Sequence, residues 1–168
     1  MTETPTLTET PTLTETPTLT PEPTQLPLPP GMNIGPGDGA YNEVGCGNSI
    51  LVDLGSQMWI GRLVYYEVEN PSDPGSIALD WVIVYVSTNS TGPWTLIFYW
   101  GDTDSGNNGD VPSGYYPPEN DNQRIGFGEL YNQTGIRIVV GGTYRYVSIE
   151  APPGCGDAAQ VDAIEVLP

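Results

Sequence analysis

Short runs of apolar, β-branched and aromatic residues, separated by turn residues, constrain the fold of this chain more than any other feature. Eight such runs follow residue 48, and Gly, Pro, Asn and Asp occupy the gaps between them. No stretch has the apolar period of an amphipathic helix. Short strands with Gly- and Pro-rich turns predict an all-β sandwich, most simply an eight-stranded jelly roll. The predicted strands cover 49–54, 59–68, 77–87, 94–100, 125–131, 135–140, 144–150 and 161–167.

The N-terminal residues have a different composition. The unit Thr-Glu-Thr-Pro-Thr-Leu occurs three times between Thr2 and Leu19, and a Pro-rich stretch follows it. Such a segment has too few apolar groups to offset the conformational entropy of ordering its backbone. The chain is therefore predicted to divide into an extended Thr/Pro-rich tail, 1–34, and a β-sandwich, 35–168, which is long enough to hold one hydrophobic core.

The tail has a strict two-residue period, because every even position from Thr2 to Thr20 is threonine. In an extended strand all the threonine N–H and C=O groups then lie at one edge, while the prolines lie at the other. This pattern favours pairing of the tail with an exposed sheet edge of another subunit. The alternative is a polyproline-like stalk that carries sugars on its hydroxyls. The candidate glycosylation sites are Thr4, Thr6, Thr10, Thr12, Thr16 and Thr18, with Asn89 and Asn132 in N-glycosylation sequons.

The charge balance narrows the possible partners. The chain has no lysine and no histidine, and four arginines face 21 acids, for a net charge of −17. This composition argues against nucleic acids and anionic membrane surfaces, and it favours calcium. Without histidine or lysine, acid–base or amine catalysis has little support, so we predict that the chain is not an enzyme.

The location of the protein is predicted from the tail and the cysteines. No apolar stretch is long enough to span a bilayer. Met1 runs directly into the repeat without a visible signal peptide, which we interpret as a truncated or processed start. Thr/Pro tracts are typical of the stalks of exported proteins, and two cysteines without lysine fit that setting. An extracellular or cell-surface location is therefore expected.

Three stretches resemble discoidin-type, galactose-binding-like jelly rolls: "SILVDLGSQMWIGRLVYYEVENP", "DWVIVYVSTNSTGPWTLI" and "YRYVSIEAPPGCGDAAQVDAIEVL". The shared pattern is a strand ending in Asp-Leu-Gly, a strand ending in Val-Ser before a short turn and a Trp, an Arg-Tyr-Val strand and a terminal Ile-Glu-Val strand. The resemblance covers roughly 38–168. It implies a non-catalytic module that binds glycans, lipids or proteins through loops at one end. The insertion "GDTDSGNNGDVPSGYYPPENDNQR" departs from the family pattern.

The resemblance also implies a role for the two cysteines. Cys46 precedes the first predicted strand and Cys155 precedes the last. Similar domains often tie their two ends together with a disulfide, which here would close a loop of about 110 residues. The alternative is two free buried thiols.

A structural calcium ion is a further implication of the resemblance. Related domains often hold calcium between an early Asp-Gly loop and an acid on the last strand. Asp38, a loop carbonyl near Tyr41 and Glu165 match those positions, and Asp162 or Asn42 could add an oxygen. The alternative is a set of solvated acids on a very acidic protein.

Two functions follow as hypotheses. The first is a structural module that assembles with copies of itself into a filament or surface layer, with the tail contacting neighbouring subunits. The alternative is a carbohydrate-binding module displayed on a flexible stalk. Tyr115 and Tyr116, in "PSGYYPPEN", could stack on a sugar or pack on a neighbouring subunit.

Overall fold

The computed structural model describes residues 24–68, 79–102, 122–125, 128–131, 135–155 and 158–168, with side chains described outside 101–130. The expected all-β fold is confirmed, because these residues form strands and turns and no helix. None of them therefore forms a helix able to cross a membrane. The strands are β1 (Asn33–Ile34), β2 (Asn42–Val44), β3 (Asn48–Glu67), β4 (Val82–Ser87), β5 (Thr95–Asp102), β6 (Asn122–Ile125), β7 (Gly128–Tyr131), β8 (Gly135–Ala151) and β9 (Ala159–Leu167).

Two long antiparallel strands, β3 and β8, organise the sheet. The order of the paired strands is β1-β9-β3-β8-β4-β5-β6, with β2 also pairing with β9 and β7 with β8. Within the described residues, the first part of β3 pairs with β8 alone, whereas its last residues pair with both β8 and β9. On its other edge, β8 pairs with β7 near its start and with β4 near its end. β3 and β8 therefore form the long central pair of the sheet, to which β9 adds on one side and β4 and β7 add on the other.

The main core of the described residues lies between the two ends of the β3–β8 strand pair. Val84 and Ile149 come from the half that carries β4, and Leu63 and Ile164 come from the half that carries β9. All four belong to one buried cluster, together with Trp100 of β5. Both ends of the β3–β8 strand pair thus cover the same apolar interior, as a sandwich requires.

The structure divides the strands differently from the sequence-based prediction. The runs 49–54 and 59–68 form one strand, β3, and the runs 135–140 and 144–150 form one strand, β8. The register shifts between Asp53 and Met58, where four residues of β3 lie opposite Arg145 alone. Gly55 in this bulge has a φ of +90°, which only glycine adopts without strain. The glycine that suggested a turn therefore makes a bulge within a continuous strand.

The residues just after the Thr/Pro repeats contact the sandwich. Met32 is buried in the core, and Asn33–Ile34 pair in parallel with Ala163–Ile164 of β9. Leu28 also packs against the core. Some residues that the sequence assigns to the tail therefore pack on the sandwich. The threonines named above, Tyr115, Tyr116 and Asn132 lie outside the described residues.

Candidate ligand-binding cleft

A cleft of about 600 Å³ opens beside the bulge of β3. Three segments that are distant in the sequence line it: the bulge of β3, the turn that follows β4, and β8 opposite the bulge. The lining residues are Gly55, Ser56, Gln57, Thr88, Asn89, Ser90, Thr91, Gly92, Arg145 and Tyr146. A volume of this size lies within the range of small-molecule sites, roughly 300–1,000 Å³.

The turn after β4 forms one wall of the cleft. The N–H of Asn89 donates to the hydroxyl of Ser87 at 3.0 Å, and the N–H of Gly92 donates to the carbonyl of Asn89 at 3.1 Å. Gly92 has a φ of +88°, and a Cβ there would lie 3.0 Å from the Trp94 ring. This local geometry leaves the side chains of Asn89, Ser90 and Thr91 exposed, with hydroxyl and amide groups at the rim.

The second wall contains a buried ion pair. Arg145 donates from Nε to Oδ1 of Asp53 at 2.7 Å and from Nη2 to Oδ2 at 2.8 Å. The N–H of Gly55 donates to the same Oδ1 at 2.9 Å. The hydrogen bond from Arg145 is the main cause that lowers the pKa of Asp53 to about 2, against the opposing effect of burial. The positive charge beside the cleft is thus matched by a buried carboxylate.

Tyr146 supplies the aromatic surface of the cleft. Its ring is half-buried, and the guanidinium carbon of Arg145 lies 5.1 Å from the ring centroid. This is within the range of a cation–π contact, which helps to hold the ring in place. None of the described residues that line the cleft is acidic, and its arginine is paired with Asp53. The cleft therefore presents amides, hydroxyls and one aromatic ring without a net charge.

The cleft lies at the opposite end of β4 and β5 from the long insertion. β4 ends and β5 begins at the turn that lines the cleft. The other ends of these strands adjoin 69–78 and 103–121, which lie outside the described residues. Tyr115 and Tyr116 belong to the second of these segments.

Sequence reasoning recognised only part of this cleft. It named Asn89 as a sequon, and the structure places this residue at the rim. It did not name Gln57, Arg145 or Tyr146 as site residues. The available signal was the polar turn "STNSTG" together with "RYV", but nothing in the sequence indicates that these segments meet beside the bulge of β3.

Hydrogen bonds within the protein close the loop proposed to hold calcium. Asp162 accepts from the N–H of Asp38 at 3.1 Å and from the N–H of Gly39 at 2.9 Å. Asp38 in turn accepts from the N–H of Ala40 at 3.0 Å. On β9, Glu165 accepts from the hydroxyl of Tyr66 at 2.7 Å. Asp162 therefore holds the loop directly, through two backbone donors.

The described acids fit a calcium ion only in part. Within the described ranges, no three His, Cys, Asp or Glu side chains are grouped so that they could hold a metal ion. Asn42, the other suggested ligand, donates its side-chain amide to the carbonyl of Pro30 at 3.0 Å. A calcium ion would depend on main-chain oxygens such as the carbonyl of Tyr41, and its binding stays a prediction.

Cys46 and Cys155 form a disulfide, with their Cα atoms 5.5 Å apart. The bridge joins the connection between β2 and β3 to the connection between β8 and β9, across 109 positions of sequence. It therefore ties together the chain segments that enter the first long strand and the last strand.

No family model matches this sequence, and neither does any curated protein. Solved structures with a similar fold include a mutant GH29 fucosidase from Ruminococcus gnavus in complex with fucose (16% identity, TM-score 0.46, covering 81% of this chain and 21% of that one). Another is the C-terminal domain of a chitobiase from Bacteroides fragilis (16% identity, TM-score 0.42, covering 71% and 61%). A third is CBM32-1 from a family 31 glycoside hydrolase of Clostridium perfringens (14% identity, TM-score 0.46, covering 84% and 86%).

The extent of these matches limits what they imply. This chain spans about a fifth of the length of the fucosidase. At identities of 14–16% and TM-scores of 0.42–0.46, the similarities assign neither a family nor a ligand to this chain.

Proposed function

We propose that this protein is a non-catalytic, exported module that binds a neutral glycan in the cleft beside Tyr146. The observation that carries the proposal is the chemistry of the lining: amide and hydroxyl side chains around one aromatic ring, without net charge. Each amide or hydroxyl side chain can both donate and accept, as sugar hydroxyls also do. An aromatic face adds apolar contact for the C–H groups of a sugar ring.

The charge of the whole chain favours a neutral sugar over an acidic one. A net charge of −17 repels uronic and sialic acids at long range. The arginine that could attract an acid is already paired with Asp53. An exported location is supported by the Cys46–Cys155 disulfide, since such bonds persist mainly in oxidising compartments.

An array of neutral and acidic oligosaccharides tests the proposal. The wild-type chain should be retained on neutral sugars, and Gln57→Ala or Asn89→Ala should each weaken retention roughly 2- to 10-fold, as expected for one lost hydrogen bond. Both side chains are exposed, so neither change should disturb folding. The control is Glu43→Gln, an exposed side chain of β2 that is not part of the cleft lining. Absence of retention on every sugar, or retention insensitive to both cleft variants, would overturn the proposal.

Self-assembly is the second candidate function, and two surface features favour it. The first is a pair of exposed apolar side chains: Trp59 of β3 is 62% exposed and Val139 of β8 is 53% exposed. In the register of the two strands, Trp59 lies opposite Thr143 and Val139 lies opposite Arg62. In the described part of the chain, Asn48–Asp53 of β3 pair with β8 alone, which leaves an edge to which a strand could add.

Light scattering and negative-stain microscopy of the full chain test this second function. Trp59→Ala should lower the apparent mass at high concentration, whereas Gln57→Ala should not. The function is rejected if the wild-type chain stays monomeric at high concentration and forms no filaments.

A further inference from the structure

The segment Thr24–Leu26, which lies in the Pro-rich stretch after the Thr/Pro repeats, docks beside the cleft. The N–H of Leu26 donates to Oδ2 of Asp53 at 3.0 Å, and the side-chain amide of Gln25 donates to the carbonyl of Asp53 at 2.7 Å. Arg145 donates from Nη2 to the carbonyl of Thr24 at 3.4 Å. The segment therefore contacts both members of the buried ion pair.

The carboxylate of Asp53 joins three parts of the chain. Its Oδ1 accepts from Arg145 and from the N–H of Gly55, and its Oδ2 accepts from Arg145 and from the N–H of Leu26. Gly55 and Arg145 both line the cleft. A Cβ on Gly55 would lie 3.3 Å from the side-chain oxygen of Gln25, so the segment also packs closely on the bulge. The docked segment thus contacts Asp53, Arg145 and the bulge at Gly55.

Release of the segment would leave the core contacts of the residues that follow it in place. Residues 24–26 are exposed, whereas Leu28 packs against the core and Met32 is buried in it. Since these later contacts anchor the chain at the start of β1, we expect docking of Thr24–Leu26 to be a local equilibrium, distinct from global unfolding.

We propose that Thr24–Leu26 is a positioning element of the cleft, which orders the bulge of β3 and Arg145, and that the Thr/Pro-rich tail consequently leaves the domain at the rim of the cleft. The part of this inference that concerns a ligand rests on the proposed glycan-binding function. If a glycan binds best to the ordered cleft, it favours the docked segment, and docking raises affinity for the glycan by the same factor. Displacement of Thr24–Leu26 by a neighbouring molecule would then weaken glycan binding.

One pair of variants isolates the backbone hydrogen bond. Leu26→Pro removes the N–H that donates to Asp53, whereas the matched control Leu26→Ala keeps this N–H and shortens only an exposed side chain. Hydrogen exchange of the full-length chain is measured at residues 54–57, and the ¹⁵N–¹H resonance of Arg145 Nε is followed. With only four arginines in the chain, that resonance can be assigned by substitution.

The expected result is faster exchange at residues 54–57 and a shifted Arg145 resonance in Leu26→Pro, with Leu26→Ala close to wild type. Equal exchange in the two variants would overturn the proposal, because the segment would then cap the ion pair without ordering the bulge. This readout needs no ligand, so it decides the positioning role even if the array shows no sugar binding and the proposed function fails.

The coupling to a ligand has its own readout. The neutral oligosaccharide that the array retains most strongly should bind Leu26→Pro roughly 3- to 10-fold more weakly than Leu26→Ala, and it should slow exchange of the Leu26 amide in wild type. If Leu26→Pro shows faster exchange at residues 54–57 but binds the oligosaccharide as tightly as Leu26→Ala does, the coupling is overturned.

Discussion

Arg145 donates two parallel hydrogen bonds to the buried carboxylate of Asp53, at 2.7 and 2.8 Å. Asp53 is the last residue of β3 before the bulge, and Arg145 lies opposite the bulge on β8. This ion pair therefore joins β3 to β8 at the bulge, where the cleft opens. Such two-point contacts fix geometry as well as charge, so this ion pair determines the shape of the cleft wall.

Asp53→Asn should be strongly destabilising. The substitution leaves the buried guanidinium of Arg145 without its counter-charge, which typically costs about 3–5 kcal/mol. Urea denaturation at neutral pH measures the loss. Glu43→Gln, which removes one exposed negative charge, is the control and should change the stability little. A loss equal to that of the control would show that the pair does not stabilise the fold.

The same ion pair should make the protein sensitive to acid. The folded-state pKa of Asp53 is about 2, compared with an ordinary value of 3.8, so its contribution is present above the ordinary value and is lost as the pH falls towards 2. Wild type should therefore lose stability between about pH 4 and pH 2 more steeply than Asp53→Asn. Denaturation at a series of pH values tests this, and parallel curves for the two proteins would contradict it.

Glu67 should have the opposite pH dependence. Its side chain is fully buried, accepts from the hydroxyl of Tyr65 and from the N–H of Asp80, and lies near the Asp80 carboxylate. Burial, followed by repulsion from Asp80, raises the pKa of Glu67 well above its ordinary value of 4.5. The folded state thus keeps a proton that the unfolded state loses. The resulting stabilisation is complete below pH 4.5 and declines as the pH rises through the raised folded-state pKa.

Glu67→Gln tests this prediction, because glutamine has no proton to lose. Relative to wild type, the variant should become more stable as the pH rises from 5 to 8, with a difference on the order of 1 kcal/mol or more. The measurement is chemical denaturation at several pH values, with Glu43→Gln as the control. A constant difference between variant and wild type across this range would show that Glu67 ionises normally.

The disulfide should contribute a large part of the stability. Closing a loop of 109 positions restricts the unfolded chain, which the chain-entropy model values at about 4–5 kcal/mol. Reduction of wild type should lower the midpoint of denaturation, whereas reductant should not affect the Cys46→Ser/Cys155→Ser double variant. A reduced protein as stable as the oxidised one would show that contacts between strands alone maintain these ends.

The calcium hypothesis predicts a specific response to chelation. If Asp38, Glu165 and a loop carbonyl near Tyr41 bind the ion, EDTA should lower the melting temperature and added calcium should restore it. Glu165→Gln should abolish this response. Calorimetry with and without EDTA measures the effect. An unchanged melting temperature would mean that the hydrogen bonds from the Asp38 loop to Asp162 suffice to hold the loop.

The sequence predicted those parts of the fold that depend on local pattern. Short runs of apolar, β-branched and aromatic residues between turn residues indicated the strands. The run 77–87 predicted the strand that became β4 (Val82–Ser87), and "VDAIEVL" predicted most of β9. The very short strands β1 and β2 escaped prediction, because they owe their pairing to β9 rather than to any pattern of their own.

Only the tertiary structure decided where the candidate site lies. Gly55 reads as a turn residue in the sequence, but it forms a bulge because pairing with β8 resumes at Met58. Three parts of the chain meet at the cleft: the bulge, the turn at Asn89, and Tyr146. They meet because β8 pairs with both β3 and β4, which brings together residues that are far apart in the chain. Local pattern shows which residues can form strands, but partner choice and register depend on how all the apolar faces share one core. The sequence therefore determined an all-β chain with a distinct Thr/Pro-rich segment, and the folded arrangement determined that Thr24–Leu26 of this segment lie against the ion pair beside the cleft.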